Sequence, residues 1–304
     1  MTARIHRLVA AFLWLVPLLP LTANAWNAAG HRLVARIAWD QLEPPTRSRI
    51  ADLLQAHPDI DRWRARAGTS ERDIFIDTST WADELRGDRR FFTPGLEDPT
   101  PWMVGFTDME RHTDWHYVNR PLTFGDASTR ADRGQLDTQL DELTMQLGSH
   151  HATPSERAYA LVWLIHLVAD AHQPLHAIPP PRSAVTGYEL QVVDPTRRGS
   201  KVVTLHAFWD DLAGPSRLSR GALDQLAQEW MAASPTDEKP SARSAPEEWI
   251  AEDLPLARWA VNIDTQEQPA VLSEDYRLRA TQVARQRITT AAYRLADLLK
   301  RQVR

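Results

Sequence analysis

The chain of 304 residues contains no cysteine, so no disulfide bond can brace it. An exported form therefore depends on core packing and on bound ions. Beyond residue 21 no apolar run approaches membrane-spanning length. Positive charge is not in excess either: the formal net charge is −5, and −7 from residue 26 onward because Arg4 and Arg7 lie before it. That balance argues against a protein held to nucleic acid by bulk charge, but not against an enzyme that reaches phosphates through bound cations. Alternating apolar and polar stretches are scarce, and no internal repeat or composition shift divides the chain.

What is present begins at the N-terminus. Arg4, His6 and Arg7 precede an apolar run from Leu8 to Leu21, and Ala23-Asn24-Ala25 supplies a small-x-small cleavage site. This order predicts a secretory signal peptide over residues 1–25, with export to the periplasm or the exterior. Cleavage makes Trp26 the first mature residue, and its freed α-amino group, with a pKa of about 8, becomes a potential metal ligand. Residues 26–304 suffice for one large core and are read as a single catalytic domain. No stable membrane anchor and no obligatory protein partner is expected.

The periodicity predicts a mainly α fold. Leu33, Val34, Ile37, Ala38 and Leu42 recur at helical spacing, as do Leu136, Leu140, Leu143 and Leu147. Ile50, Leu53 and Leu54 follow Pro44-Pro45, prolines suited to a helix start. Thr153-Pro154-Ser155-Glu156 has the pattern of a capping box. Leu223, Leu226 and Trp230 mark another helix, and Ser273 to Val303 a long one with Val283, Ile288, Ala292, Leu295 and Leu299 inward. Ser234 to Pro246 reads as a surface loop, and Glu189–Val193 with Lys201–Leu205 as a possible small hairpin.

The most informative segment is Trp163 to His176, WLIHLVADAHQPLH. His166 and Asp170 stand four apart, on one helix face. Gln173-Pro174 stops the helix, and His176 follows the break. Imidazoles and a carboxylate around an apolar helix end suit zinc, which takes nitrogen and oxygen ligands. His206 and Asp210 repeat the spacing; His57 and Asp61 do so across Pro58 and read as coincidence. Spacing alone does not choose among the histidines.

The order of motifs does. WNAAGH from Trp26 to His31, WADELR at 81–86, WHYVN at 115–119, HLVADAHQPLH, then LHAFWD at 205–210 together resemble the secreted zinc-dependent nucleases of the S1/P1 type, which are related to the bacterial zinc phospholipases C. The resemblance implies a mostly helical fold with three zinc ions. It assigns Asp83, His116, His166 and Asp170 to one. It assigns His31, the amino nitrogen and carbonyl oxygen of Trp26, and a bridging Asp170 to the second. It assigns His176, His206 and Asp210 to the third. It further implies that Arg86 steadies the charged transition state, that Asp83 is both ligand and orienter of the attacking water, and that Tyr117 and Asn119 meet the base. The expected activity is endonucleolytic hydrolysis of single-stranded DNA and RNA, and of 3′-nucleotides, to 5′-phosphate products.

The match departs where the base is read. Asn119 stands where relatives often carry aspartate, and AIPPPRSAVTGYELQVVDPTRRGS follows His176 in place of a glycine-rich stretch ending in asparagine. Arg182, Arg197 and Arg198 in this loop could meet a phosphate chain, although the solvated reading is preferred. A phospholipase C-like enzyme is the alternative within the class. It predicts an exposed apolar rim, for which the 177–200 loop offers only Ile178, Val185 and Tyr188. A non-catalytic zinc-binding envelope protein is the alternative outside it; Arg86 beside the expected ligands argues against that.

Overall fold

A computed structural model describes residues 26–121, 134–182, 189–196, 199–233, 245–264 and 267–304. The expected leader, Val185, Tyr188, Arg197, Arg198 and residues 234–244 of the expected loop lie outside the described residues. Within them the fold is mainly α. Eleven helices are present: α1 (Ala28–Gln41), α2 (Pro44–Leu54), α3 (Ile60–Ala67), α4 (Glu71–Thr78), α5 (Trp81–Glu84), α6 (Leu136–Gly148), α7 (Pro154–Asp170), α8 (Leu205–Asp210), α9 (Arg220–Ala232), α10 (Pro246–Ala260) and α11 (Glu274–Gln302).

The fold is built around α7. From Ala158 to Asp170 every residue of this helix is buried, including His166 and Asp170. A helix that is apolar on all sides can only be covered on all sides. Its start is fixed by the predicted capping box: Thr153 Oγ1 accepts from the Glu156 amide and Glu156 Oε2 accepts from the Thr153 amide, at 3.3 and 2.7 Å. α6 lies along α7 and buries Leu136, Leu140, Leu143 and Leu147. α1 packs against α11 and also reaches α4, α7 and α9. α11 starts at Ser273, whose hydroxyl accepts from the Tyr276 amide, and its predicted inward residues are buried.

The hairpin is present as β1 (Gln191–Val193) antiparallel to β2 (Val202–Thr204). A third strand, β3 (Ala270–Val271), pairs parallel with β1 and was not legible beforehand. Two details differ from expectation. Pro246 opens α10 rather than closing a loop. Ile178 is 2% exposed, so it contributes nothing to an apolar rim. No helix among the described residues is long and apolar enough to cross a membrane.

Candidate metal centre

Seven structural elements bring the predicted residues together. α1 contributes His31, and α5 contributes Asp83. Arg86 follows in the 3-10 turn Leu85–Gly87, and His116 sits in the loop before α6. α7 ends in His166 and Asp170, the 3-10 turn Pro174–His176 presents His176, and α8 carries His206 and Asp210. All the histidines and the two aspartates Asp170 and Asp210 are at most 4% exposed.

Asp170 is the hub. Its Oδ2 lies 3.0 Å from His116 Nδ1 and 3.2 Å from His166 Nε2, and its Oδ1 lies 3.4 Å from His31 Nε2 and 3.8 Å from His176 Nδ1. His116 Nδ1 and His166 Nε2 are 3.1 Å apart, and Asp83 Oδ1 is 3.9 Å from His166 Nε2. The rings of His31 and His166 stack with centroids 3.8 Å apart. His206 Nε2 is 3.7 Å from Asp210 Oδ1. Among the described residues three sets of side chains converge closely enough to share an ion: His31, His166 and Asp170; Asp83, His116 and His166; and His176, His206 and Asp210.

Surrounding backbone fixes the tautomers. His166 Nδ1 donates to the Ser79 carbonyl at 2.7 Å, so in the neutral ring Nε2 is the lone-pair nitrogen facing Asp170. His176 Nδ1 donates to the His116 carbonyl at 2.7 Å. Such outward hydrogen bonds aim ring nitrogens at a bound ion.

Electrostatics points the same way. Burial, with the cationic side chains nearby, holds His31 and His116 well below the usual imidazole range, and burial drops His206 to about 4. These rings are neutral, the form that coordinates. Burial pushes Asp170 up to about 6 and Asp210 well above the usual carboxylate range, although His166 and Gln173 respectively pull the other way. His166 moves up: burial opposes its charge, but Asp170 and Asp83 outweigh burial. The buried atoms His31 Nδ1 and Nε2, His116 Nε2, His206 Nδ1 and Nε2, Asp83 Oδ1 and Asp170 Oδ1 have no hydrogen-bond partner. Buried polar groups are almost always satisfied, so this concentration calls for a cation. The donor set, nitrogen and carboxylate oxygen, fits zinc.

A family comparison decides what such a centre belongs to: the S1/P1 nuclease family model matches residues 26–304. The chain belongs to the S1/P1 nuclease family. No curated protein matches it. Membership makes it a metal-dependent hydrolase of the nuclease type, acting on phosphodiester bonds and taking nucleic acid as substrate.

The remaining predicted residues fall around the nuclease centre. Trp26 is fully buried at the foot of α1, and its indole donates to the Ala169 carbonyl at 3.1 Å. Gly30 permits this approach: a Cβ there would sit 2.7 Å from Trp26 Cβ. Arg86 Nη1 stands 3.4 Å from Asp83 Oδ1. Tyr117 is half-buried and Asn119 buried, on a segment whose Val118 amide donates to the His176 carbonyl at 2.8 Å. Arg182 is exposed and bridges to Glu189 through the backbone.

Sequence reasoning missed two participants. Asn27 caps α1 through its side-chain oxygen while its amide nitrogen donates to Asp211 Oδ1 and the Gly214 carbonyl, at 2.8 and 2.7 Å. It thereby ties Trp26 and His31 to the end of α8. Gln173, read only as part of a helix stop, is fully buried against Asp210. The asparagine just before a helical period was a legible capping signal; nothing in the sequence marked the glutamine's partner.

Proposed function

We propose that this nuclease is exported, loses residues 1–25, and hydrolyses single-stranded DNA, RNA and 3′-nucleotides to 5′-phosphate products with three zinc ions. The observation that carries the reading is the convergence of three histidine–carboxylate sets on one buried locus, where donor atoms of His31, Asp83, His116, Asp170 and His206 lack hydrogen-bond partners. Asp83, His116, His166 and Asp170 would hold one zinc. His31, Asp170 and the backbone of Trp26 would hold the second, and His176, His206 and Asp210 the third. Bound zinc supplies the positive charge that makes water a stronger acid near neutral pH and offsets charge on phosphate.

The chain's own groups do the rest. Asp83, the ligand carboxylate with 20% side-chain exposure, orients the attacking water and accepts its hydrogen bond. Arg86 offers guanidinium N–H donors to the non-bridging phosphate oxygens, where charge builds in the transition state. Neutral His31, His116 and His206 keep their lone pairs available. Tyr117 stacks a base and Asn119 meets its edge. The burial of Trp26 and the 3.1 Å hydrogen bond from the Asn27 amide to the Asp210 carbonyl support a role for the freed chain end beside the second ion.

The test is turnover of single-stranded DNA and RNA with the metal content of the mature protein measured alongside. We expect three zinc ions per chain, loss of activity on chelation and recovery on zinc addition. An unchanged rate in the zinc-free protein would end the proposal. Arg86→Ala separates enzyme from passive zinc binder: turnover is lost while zinc content stays.

A second reading, a phospholipase C-like phosphodiesterase, is favoured by one observation. The loop after Arg90 exposes Leu96, Trp102, Met103 and Val104, with Leu96 at 83% and Val104 at 82%. Trp102 Nε1 is already satisfied by the Phe106 carbonyl at 3.1 Å, so its ring offers only apolar surface. Turnover of a phosphatidylcholine analogue in vesicles, compared with 3′-nucleotides, chooses between the two.

A further inference from the structure

Gln173 lies in the turn between Asp170 and His176, and its carboxamide joins that segment to α8. Its Oε1 accepts from the Leu175 amide at 2.6 Å, capping the 3-10 turn that presents His176. This fixes the orientation of the carboxamide, because only its oxygen can accept and only its nitrogen can donate. Nε2 therefore faces Asp210 and donates to Oδ1 at 2.8 Å. Gln173 is fully buried and Asp210 is 4% exposed, so water does not substitute for this bond. One side chain thus grips both the turn of His176 and the carboxylate of Asp210, two of the three residues in the third set.

We propose that Gln173 is a positioning residue for the third zinc: its N–H holds Asp210 in the coordinating orientation, while its carbonyl sets the turn of His176. The inference rests on the metal reading above. Glutamine suits the place for a chemical reason. A donor is needed toward Asp210 and an acceptor toward Leu175, and a neutral group adds no further negative charge to a buried carboxylate. A hydrogen bond to a ligating carboxylate raises metal affinity by narrowing the orientations the carboxylate samples.

The two roles separate by substitution. Gln173→Glu keeps an acceptor for the Leu175 amide but removes the donor toward Asp210; Gln173→Met removes both. Zinc per chain is measured for the full mature protein against chelators of graded strength, and thermal unfolding of the metal-free forms is recorded. We expect Gln173→Glu to weaken one of three zinc ions about 10- to 100-fold, to leave the other two at wild-type affinity, and to leave the metal-free protein folded. Gln173→Met should show the same selective loss and also unfold at lower temperature. All three ions held at wild-type affinity in Gln173→Glu, or all three lost in parallel, would overturn the assignment. If the wild-type protein itself binds fewer than three zinc ions, the metal reading fails, and that failure is seen before any variant is made.

Discussion

Two aspartates in this nuclease are both withdrawn from solvent and behave oppositely. Asp59, 2% exposed, accepts from Arg90 through two nitrogens at 2.7 and 2.8 Å and from the Trp81 indole at 2.8 Å. Burial alone would push its carboxyl up, but the Arg90 and Trp81 donors outweigh it and hold it below the usual range. Asp170, fully buried, meets only imidazoles, and burial lifts it to about 6. The first cluster is completed by the chain itself; the second is completed only by something bound. The two are connected, since Trp81 opens α5, which carries Asp83. It packs on Phe106 and Trp163, so the satisfied cluster braces the unsatisfied one.

The comparison breaks most sharply at the two aspartates. Asp170→Asn should lower turnover on the order of 10³-fold or more, because it disables the shared ligand. Urea unfolding of the metal-free variant should show no loss of stability, since a costly buried carboxylate has gone. Asp59→Asn should do the reverse, costing about 1.5–3 kcal/mol because Arg90 keeps Asp88 but loses its charged bonds to Asp59, with activity per folded molecule and zinc content preserved. A variant of Asp59 that folds normally would show that the paired cluster is not structural.

Gly30→Ala comes next. The added methyl displaces Trp26, and we expect about 10- to 100-fold weaker binding of one zinc, read by chelator competition, with helix content unchanged by circular dichroism.

A smaller effect tests pH. His57, packed against Trp63, Trp81 and Phe106, is lowered by burial to about 3. Below the unfolded value near 6.5 the unfolded chain takes a proton that the folded chain refuses, so stability falls as pH drops from 6.5 toward 3. His57→Asn keeps an acceptor for the Asp59 amide, which His57 Nδ1 receives at 3.1 Å. It should flatten the slope by up to about 1.4 kcal/mol per pH unit, measured as the difference in unfolding free energy between variant and wild type; parallel pH profiles would count against a neutral His57. The smallest effect is remote from both clusters: Thr153→Ala should cost about 1 kcal/mol by removing a cap, with zinc content and turnover unchanged.

The sequence alone determined the helical class, the stripes of α1, α6 and α11, the capping box of α7 and the hairpin, because period and capping are local properties. It also marked the five motifs whose order carried the family, and each holds donors of the type zinc takes. What it left open was partnership. Nothing in the spacing distinguishes His57–Asp61, where the ring sits in an aromatic cage and Asp61 is in solvent, from His166–Asp170, where both face one locus. Equally, Gln173 is only a residue before proline until α8 places Asp210 within 2.8 Å of it. Whether a buried charge meets arginine, imidazole or amide depends on which distant elements pack together, since desolvation acts through whatever occupies the first few ångströms. That was decided by the tertiary structure.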